Sequence, residues 1–336
     1  MNAPANQQAV AEGEASASKE LFPLDFAVAD YDRTRPLLDG RVKPQGIALN
    51  ATARWIGDFC ERPVYEMYDV AEFSLSWYVA ARCRGEPVIA LPVFPLRMPV
   101  FAYVLCRSDA PYEHPGDLAG KRIGAPGYRY TVNLWLRGLL KEHYGLSPEQ
   151  VSWVTAEKEG AGYVVPPGID VTVETGARPE ELLLRGEVDA IFVPMLPQAF
   201  VNGDPRLRRL FRDARAETRQ LFRRTGIVPI THTVVMKQSL YDREPWLAPS
   251  LVKAFMEAQR VCDDFYAKDP KHLGFTDSVF FLEEQRAAYG ERSWTHGLNP
   301  ANRNIMETFL RYAHEQGYIP RLMTLDELFA PNTLAL

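Results

Sequence analysis

Short apolar runs alternate along this chain with longer stretches in which apolar residues recur every third or fourth position. The short runs fall at 25–29, 47–52, 88–94, 101–107, 122–125, 151–155, 171–175, 190–194 and 230–236. Most are bounded by Gly, Pro or Asp, as buried strands of an α/β sheet tend to be. Three stretches carry the period of a helix. In 131–144 the stripe is Val132, Trp135, Leu136, Leu139, Leu140 and Tyr144, and Gly145 stops it. In 249–266 it is Leu251, Val252, Phe255, Cys262, Phe265 and Tyr266. The third opens with Asn299 as cap and Pro300 as first position, carries Ile305, Met306, Phe309, Leu310 and Ala313, and ends at Gly317. The alternation predicts an α/β protein with a mostly parallel sheet, helices on both faces and a mainly helical last hundred residues. At roughly 100–200 residues per domain, 336 residues predict two domains or one large one.

Composition narrows the function. Lys and Arg total 38 against 43 Asp and Glu, a net charge of −5, which argues against nucleic acid as a partner. No apolar run approaches the roughly 20 residues of a membrane span. Residues 1–20 are small, polar and mildly acidic, with neither the basic start nor the apolar stretch of a secretory signal, and read as a disordered tail of a cytoplasmic protein. Cys60, Cys83, Cys106 and Cys262 have no CxxC spacing, and Cys106 and Cys262 sit in apolar surroundings, so reduced, buried thiols are expected. GxGxxG after a strand, GxxxxGK[ST], HExxH and GxSxG are all missing, and the six histidines lack the spacing of a zinc pair. No organic cofactor is expected; a divalent metal assembled from distant residues stays open.

Polar and aromatic residues crowd the ends of the predicted strands. The segments are DYDRTRPLLDGRVKPQGIALN from Asp30, EFSLSWY from Glu72, PVFPLRM from Pro92, GKRIGAPGYRYTVNLWLRG from Gly120, DAIFVPMLP from Asp189 and TGIVPITHTVVM from Thr225. With METFLRYAHEQGYIPRLMTLDELFAP from Met306, they resemble the 4,5-dihydroxyphthalate decarboxylase family over nearly the whole chain. The resemblance implies a fold similar to type 2 periplasmic solute-binding proteins, with a ligand cleft between two α/β lobes. One lobe would be discontinuous, 21–107 with 230–336, and the other would be 108–229. It also implies an enzyme that removes one carboxylate from 4,5-dihydroxyphthalate, or a close hydroxylated aromatic dicarboxylate, to give protocatechuate and CO2. The alternative on this fold is a solute-binding protein for an aromatic carboxylate. A metal-assisted decarboxylase, with an ion gripping the catechol oxygens, is a third reading. A homo-oligomer is compatible with the chain. The family pattern implies a basic residue and a histidine shortly after PVFPLRM; Pro99, Val100 and Phe101 stand there instead, which leaves the exact substrate open.

The site residues follow from that frame. Arg33 and Arg97 lie after strand ends, and arginine grips a carboxylate with two parallel hydrogen bonds; a surface ion pair with Asp32 or Asp39 is the plain reading of Arg33. Arg137, in mid-helix, is expected in solvent. Ser74 and Ser76 sit where a strand passes into a helix, either as caps or on ligand oxygens. Glu72 is a base for the phenol or an ordinary ion-pair partner. Tyr128, Arg129 and Thr131 open the clearest helix, whose free N–H groups attract anions. His232 is either a satisfied core residue or the proton-transfer group; His296 and His314 read as structural or surface residues. Tyr31, Trp77 and Tyr128 could pack on the ring, or belong to the core. The expected catalytic set is His232, Glu72 and Arg33; the expected binding set is Tyr31, Arg97, Ser74, Ser76, Tyr128, Arg129 and Thr131.

Overall fold

The computed structural model describes residues 20–55, 63–160, 163–268, 273–291 and 294–336. The expected tail, except Glu20, and Cys60 lie outside the described residues. Eleven strands form two sheets among them. The first has the order β2 (Ile47–Ala53), β1 (Phe22–Val28), β3 (Val70–Ser74), β11 (His232–Lys237), β4 (Val88–Leu91). The second has the order β10 (Leu207–Arg209), β5 (Val104–Arg107), β9 (Ala190–Phe192), β6 (Arg122–Ala125), β7 (Ser152–Thr155), β8 (Asp170–Val173). Chain segments before 92 and after 231 thus build one sheet, and the chain between builds the other.

The pairing is mixed where the alternation predicts mostly parallel strands. β1 is parallel to β2 and β3, and β6 is parallel to β7 and β9. β11, however, returns from the second sheet and runs antiparallel between β3 and β4. Prolines trim two expected strands. Pro92, without an N–H, ends β4 at Leu91, and Pro99 opens a buried single turn, Val100–Tyr103, so β5 starts only at Val104. The strand-to-helix passage expected at Ser74 and Ser76 forms as β3 into helix Leu75–Cys83, while β10 and the helices Ala214–Thr225 and Ser278–Tyr289 add to the predicted elements. The Arg-rich helix Ala214–Thr225 buries only Ala214, Thr218 and Leu221, too thin a stripe to read from sequence.

The three predicted helices form, as Thr131–Tyr144, Leu247–Lys268 and Pro300–Glu315. Gly145 takes φ of 70° to end the first, and the Asn299 side chain accepts from the Asn302 N–H to start the last. Alternation sends Ala27 to one face of β1 and Leu24, Phe26 and Val28 to the other, where Leu251, Val252 and Phe255 cover them. The main core lies between the sheets and joins residues of both, with Trp135, Phe309 and Tyr312 packed at its centre. Arg137 is buried rather than solvated: its guanidinium lies 3.7 Å over the Tyr128 ring and donates to the Tyr128 carbonyl and to Gln316. Among the described residues, no helix is long and apolar enough to cross a membrane.

Candidate active site

Two helix starts converge on one cavity of about 680 Å³ between the sheets. β3 runs into helix Leu75–Cys83 at Ser74, and β6 leads through a short turn into helix Thr131–Tyr144. Neither start has a side-chain cap bond, and Ser74, Trp77, Thr131 and Val132 line the cavity. The Ser74 and Thr131 hydroxyls lie 2.8 Å apart, and the Thr131 hydroxyl donates to Ser76 Oγ at 2.9 Å and accepts the Ser76 N–H, so three hydroxyls tie the two starts together. Ser76 itself is buried behind this clasp and bonded to the Arg129 carbonyl.

His232 opens β11 opposite Ser74, and Glu72 pairs with Val234, so Glu72 lies diagonally beside His232 on one face of the sheet. Glu72 Oε1 is 2.5 Å from His232 Nδ1 and accepts from the Tyr31 hydroxyl at 3.0 Å; its Oε2 accepts the Ala29 N–H at 3.0 Å. Nδ1 being engaged, Nε2 is the ring nitrogen left for a ligand in the cavity that His232 lines. Burial and the adjacent Glu72 carboxylate push the Tyr31 phenol far above its usual range, so it stays a neutral donor.

Arg97 also lines the cavity. It is 6% exposed and donates to the Thr295 carbonyl and Asn302 Oδ1, but its Nε has no partner among the described residues. Burial, reinforced by the Arg33 guanidinium, lowers its pKa to about 10, so at neutral pH it is a buried cation with no anionic partner among the described residues. Trp55, Phe73, Trp77, Leu96, Met98 and Met195 supply apolar and aromatic wall.

Several expected site residues sit elsewhere. Arg33 is not in the wall: its guanidinium lies 4.2 Å over Tyr31 and 4.0 Å over Trp294 and bonds the Pro95 carbonyl and Asp32. Its charge helps to lower the pKa of Arg97, which does line the cavity. Tyr128 is fully buried, edge-on to Trp153. Arg129 stacks on Trp77 at 3.7 Å and pairs with buried Glu159, whose carboxylate also takes the N–H groups of Tyr128 and Arg129. The anion expected before this helix is therefore the protein's own, and the approach left for a ligand is two residues further on, at Thr131. His296 is buried, with Nδ1 accepting the Phe94 N–H.

Sequence reasoning missed Glu157, which lines the cavity and accepts from the Tyr130 hydroxyl at 3.2 Å. Its place just past the end of β7 was the available signal, since ligands of α/β sheets sit at the carboxyl ends of strands. Among the described residues no three His, Cys, Asp or Glu side chains are grouped to hold a metal ion. A larger groove of about 1020 Å³, lined by Phe22, Lys43, Trp246 and Lys253, contains none of these strand-end groups.

No family model matches the chain. It is 32% identical over 324 residues to a 4,5-dihydroxyphthalate decarboxylase of Comamonas testosteroni, covering 93% of this chain and 97% of that one. A 4,5-dihydroxyphthalate decarboxylase of Pseudomonas putida is 36% identical over 209 residues, 60% of this chain and 81% of that protein. In structure it is similar to the periplasmic aliphatic sulphonate binding protein SsuA of Escherichia coli, with a TM-score of 0.58 and 14% identity over 94% of this chain and 99% of that one. That likeness shows the fold, two-lobed α/β of the type 2 periplasmic-binding-protein kind. The 32% identity over 324 residues to the Comamonas testosteroni protein places this chain in the 4,5-dihydroxyphthalate decarboxylase family.

Proposed function

We propose that this protein decarboxylates 4,5-dihydroxyphthalate, or a close hydroxylated aromatic dicarboxylate, to protocatechuate and CO2, in the cleft between a lobe of 21–107 with 230–336 and a lobe of 108–229. The observation that carries the reading is a His–carboxylate pair, His232 with Glu72, whose histidine lines the same aromatic-walled cavity as a buried arginine with no counter-ion among the described residues. Arg97 and the N–H groups at Thr131 receive the carboxylate that stays, with the Ser74 hydroxyl beside them. Trp55, Trp77 and Phe73 hold the ring. Free thiols at Cys83, Cys106 and Cys262 support a reducing, cytoplasmic setting.

The hydroxyl para to the leaving carboxylate raises electron density at the carbon that bears it. A proton from His232 adds to that carbon and forms a C–H bond. The bond to CO2 breaks, its electron pair restores the aromatic ring, and His232 is reprotonated from solvent, so one proton is consumed per CO2 released. Glu72 fixes the imidazole and balances its charge; it touches no substrate and acts as a positioning residue. Proton transfer of this kind contributes about 10²–10⁴-fold. Incubation with 4,5-dihydroxyphthalate, with protocatechuate followed by chromatography, tests the reading. Product with and without chelator is the expected result; product lost only with chelator puts a metal in the reaction. Binding without product in either arm leaves a solute-binding protein.

A further inference from the structure

The cavity's cationic and donor groups include Arg97, His232, Ser74 and Thr131, and among the described lining residues Glu157 is the single acidic side chain. A carboxylate here is unexpected in a site for a dianion, because it repels the ligand unless it faces something that donates. The neighbouring carboxylates are already satisfied. Glu72 takes the Ala29 N–H, the Tyr31 hydroxyl and His232, and Glu159 takes two backbone N–H groups and Arg129. Glu157 is exposed at the cavity; among the described residues its side chain accepts the Tyr130 hydroxyl and pairs with no cation, so most of the roughly four hydrogen bonds a carboxylate can accept are left to solvent or to a ligand.

We propose that Glu157, steadied by Tyr130, is the acceptor that recognises the ring hydroxyls and so sets which end of the substrate enters toward Arg97. The inference rests on the decarboxylase reading and deepens it: the site selects a ring carrying donors opposite its carboxylates, and the bare diacid is rejected for want of a partner for Glu157. A hydrogen bond to a charged group accounts for about 10- to 100-fold in recognition.

The test compares the wild type with Glu157→Gln, using kcat/KM for 4,5-dihydroxyphthalate and the inhibition constant of phthalate, which lacks the hydroxyls. The expected result is a 10- to 100-fold loss of kcat/KM with phthalate binding unchanged or tighter, since a negative charge has left the cavity. A parallel loss for both compounds, or for neither, overturns the assignment. The two readings fail separately. If the wild type forms no protocatechuate, the decarboxylase reading falls. The Glu157 assignment then stands if 4,5-dihydroxyphthalate raises the melting temperature more than phthalate does and Glu157→Gln erases that difference; equal shifts in the wild type overturn it as well.

Discussion

Each polar side chain at this cleft is characterised by what satisfies it. His232 has its Nδ1 on Glu72, which leaves Nε2 for chemistry. His232→Asn is therefore expected to lower kcat by about 10²–10⁴-fold with the fold intact, as read by single-turnover kinetics and circular dichroism. Glu72→Gln keeps the shape but removes the charge; it is expected to lower kcat while KM moves little, because Glu72 does not line the cavity. Arg97→Lys keeps the charge and loses the two-pronged geometry, so KM is expected to rise about tenfold or more. Behind these groups, burial and the charges of Arg97 and Arg33 hold His296 down at about 3, against about 6.5 for a free histidine. The unfolded chain takes up that proton first. The stability His296 contributes is thus complete above about pH 6.5 and is lost as pH falls toward 3. Melting temperatures measured across that window are expected to fall less steeply in His296→Gln than in the wild type.

The elements are held by close approaches as well as by their apolar stripes. Helix Thr131–Tyr144 meets helix Pro300–Glu315 at Gly138, where a methyl group would stand 2.2 Å from the Tyr312 ring. Gly138→Ala is expected to cost about 1–3 kcal/mol despite the better helix propensity of alanine, measurable by urea unfolding. The periodicity that locates both helices says nothing of this contact, because Gly138 and Tyr312 are 174 positions apart in sequence. Strand ends behave alike: the end of β4 and the start of β5 are legible from an apolar run and a proline, yet which neighbour each strand meets depends on the sheet order.

The two sheets share one apolar core, running from Ala27, Ala71 and Val235 of the first to Val104, Ile123 and Phe192 of the second. Trp135 of the second unit donates to the Ile230 carbonyl at 2.8 Å, and the Ser74–Thr131–Ser76 hydroxyls fasten the cleft floor. Lobes so joined are expected to unfold together, in a single calorimetric transition. Two resolved transitions would show that the lobes are energetically separate.

The sequence by itself determined the α/β class, the three long helices, and the kinds of side chain available at strand ends: a histidine, arginines, acids and aromatics. Those features are local, since backbone preference and the period of apolar positions are written within a few residues. Tertiary structure decided which of them act together. It set His232 beside Glu72 across an antiparallel pair that only the returning β11 creates. It chose Arg97 over Arg33 for the wall by stacking Arg33 between Tyr31 and Trp294, and it filled the start of helix Thr131–Tyr144 with Glu159, leaving Glu157 at the cavity. Side chains at loops and strand ends take their direction from partners tens or hundreds of residues away, and no local pattern records those partners.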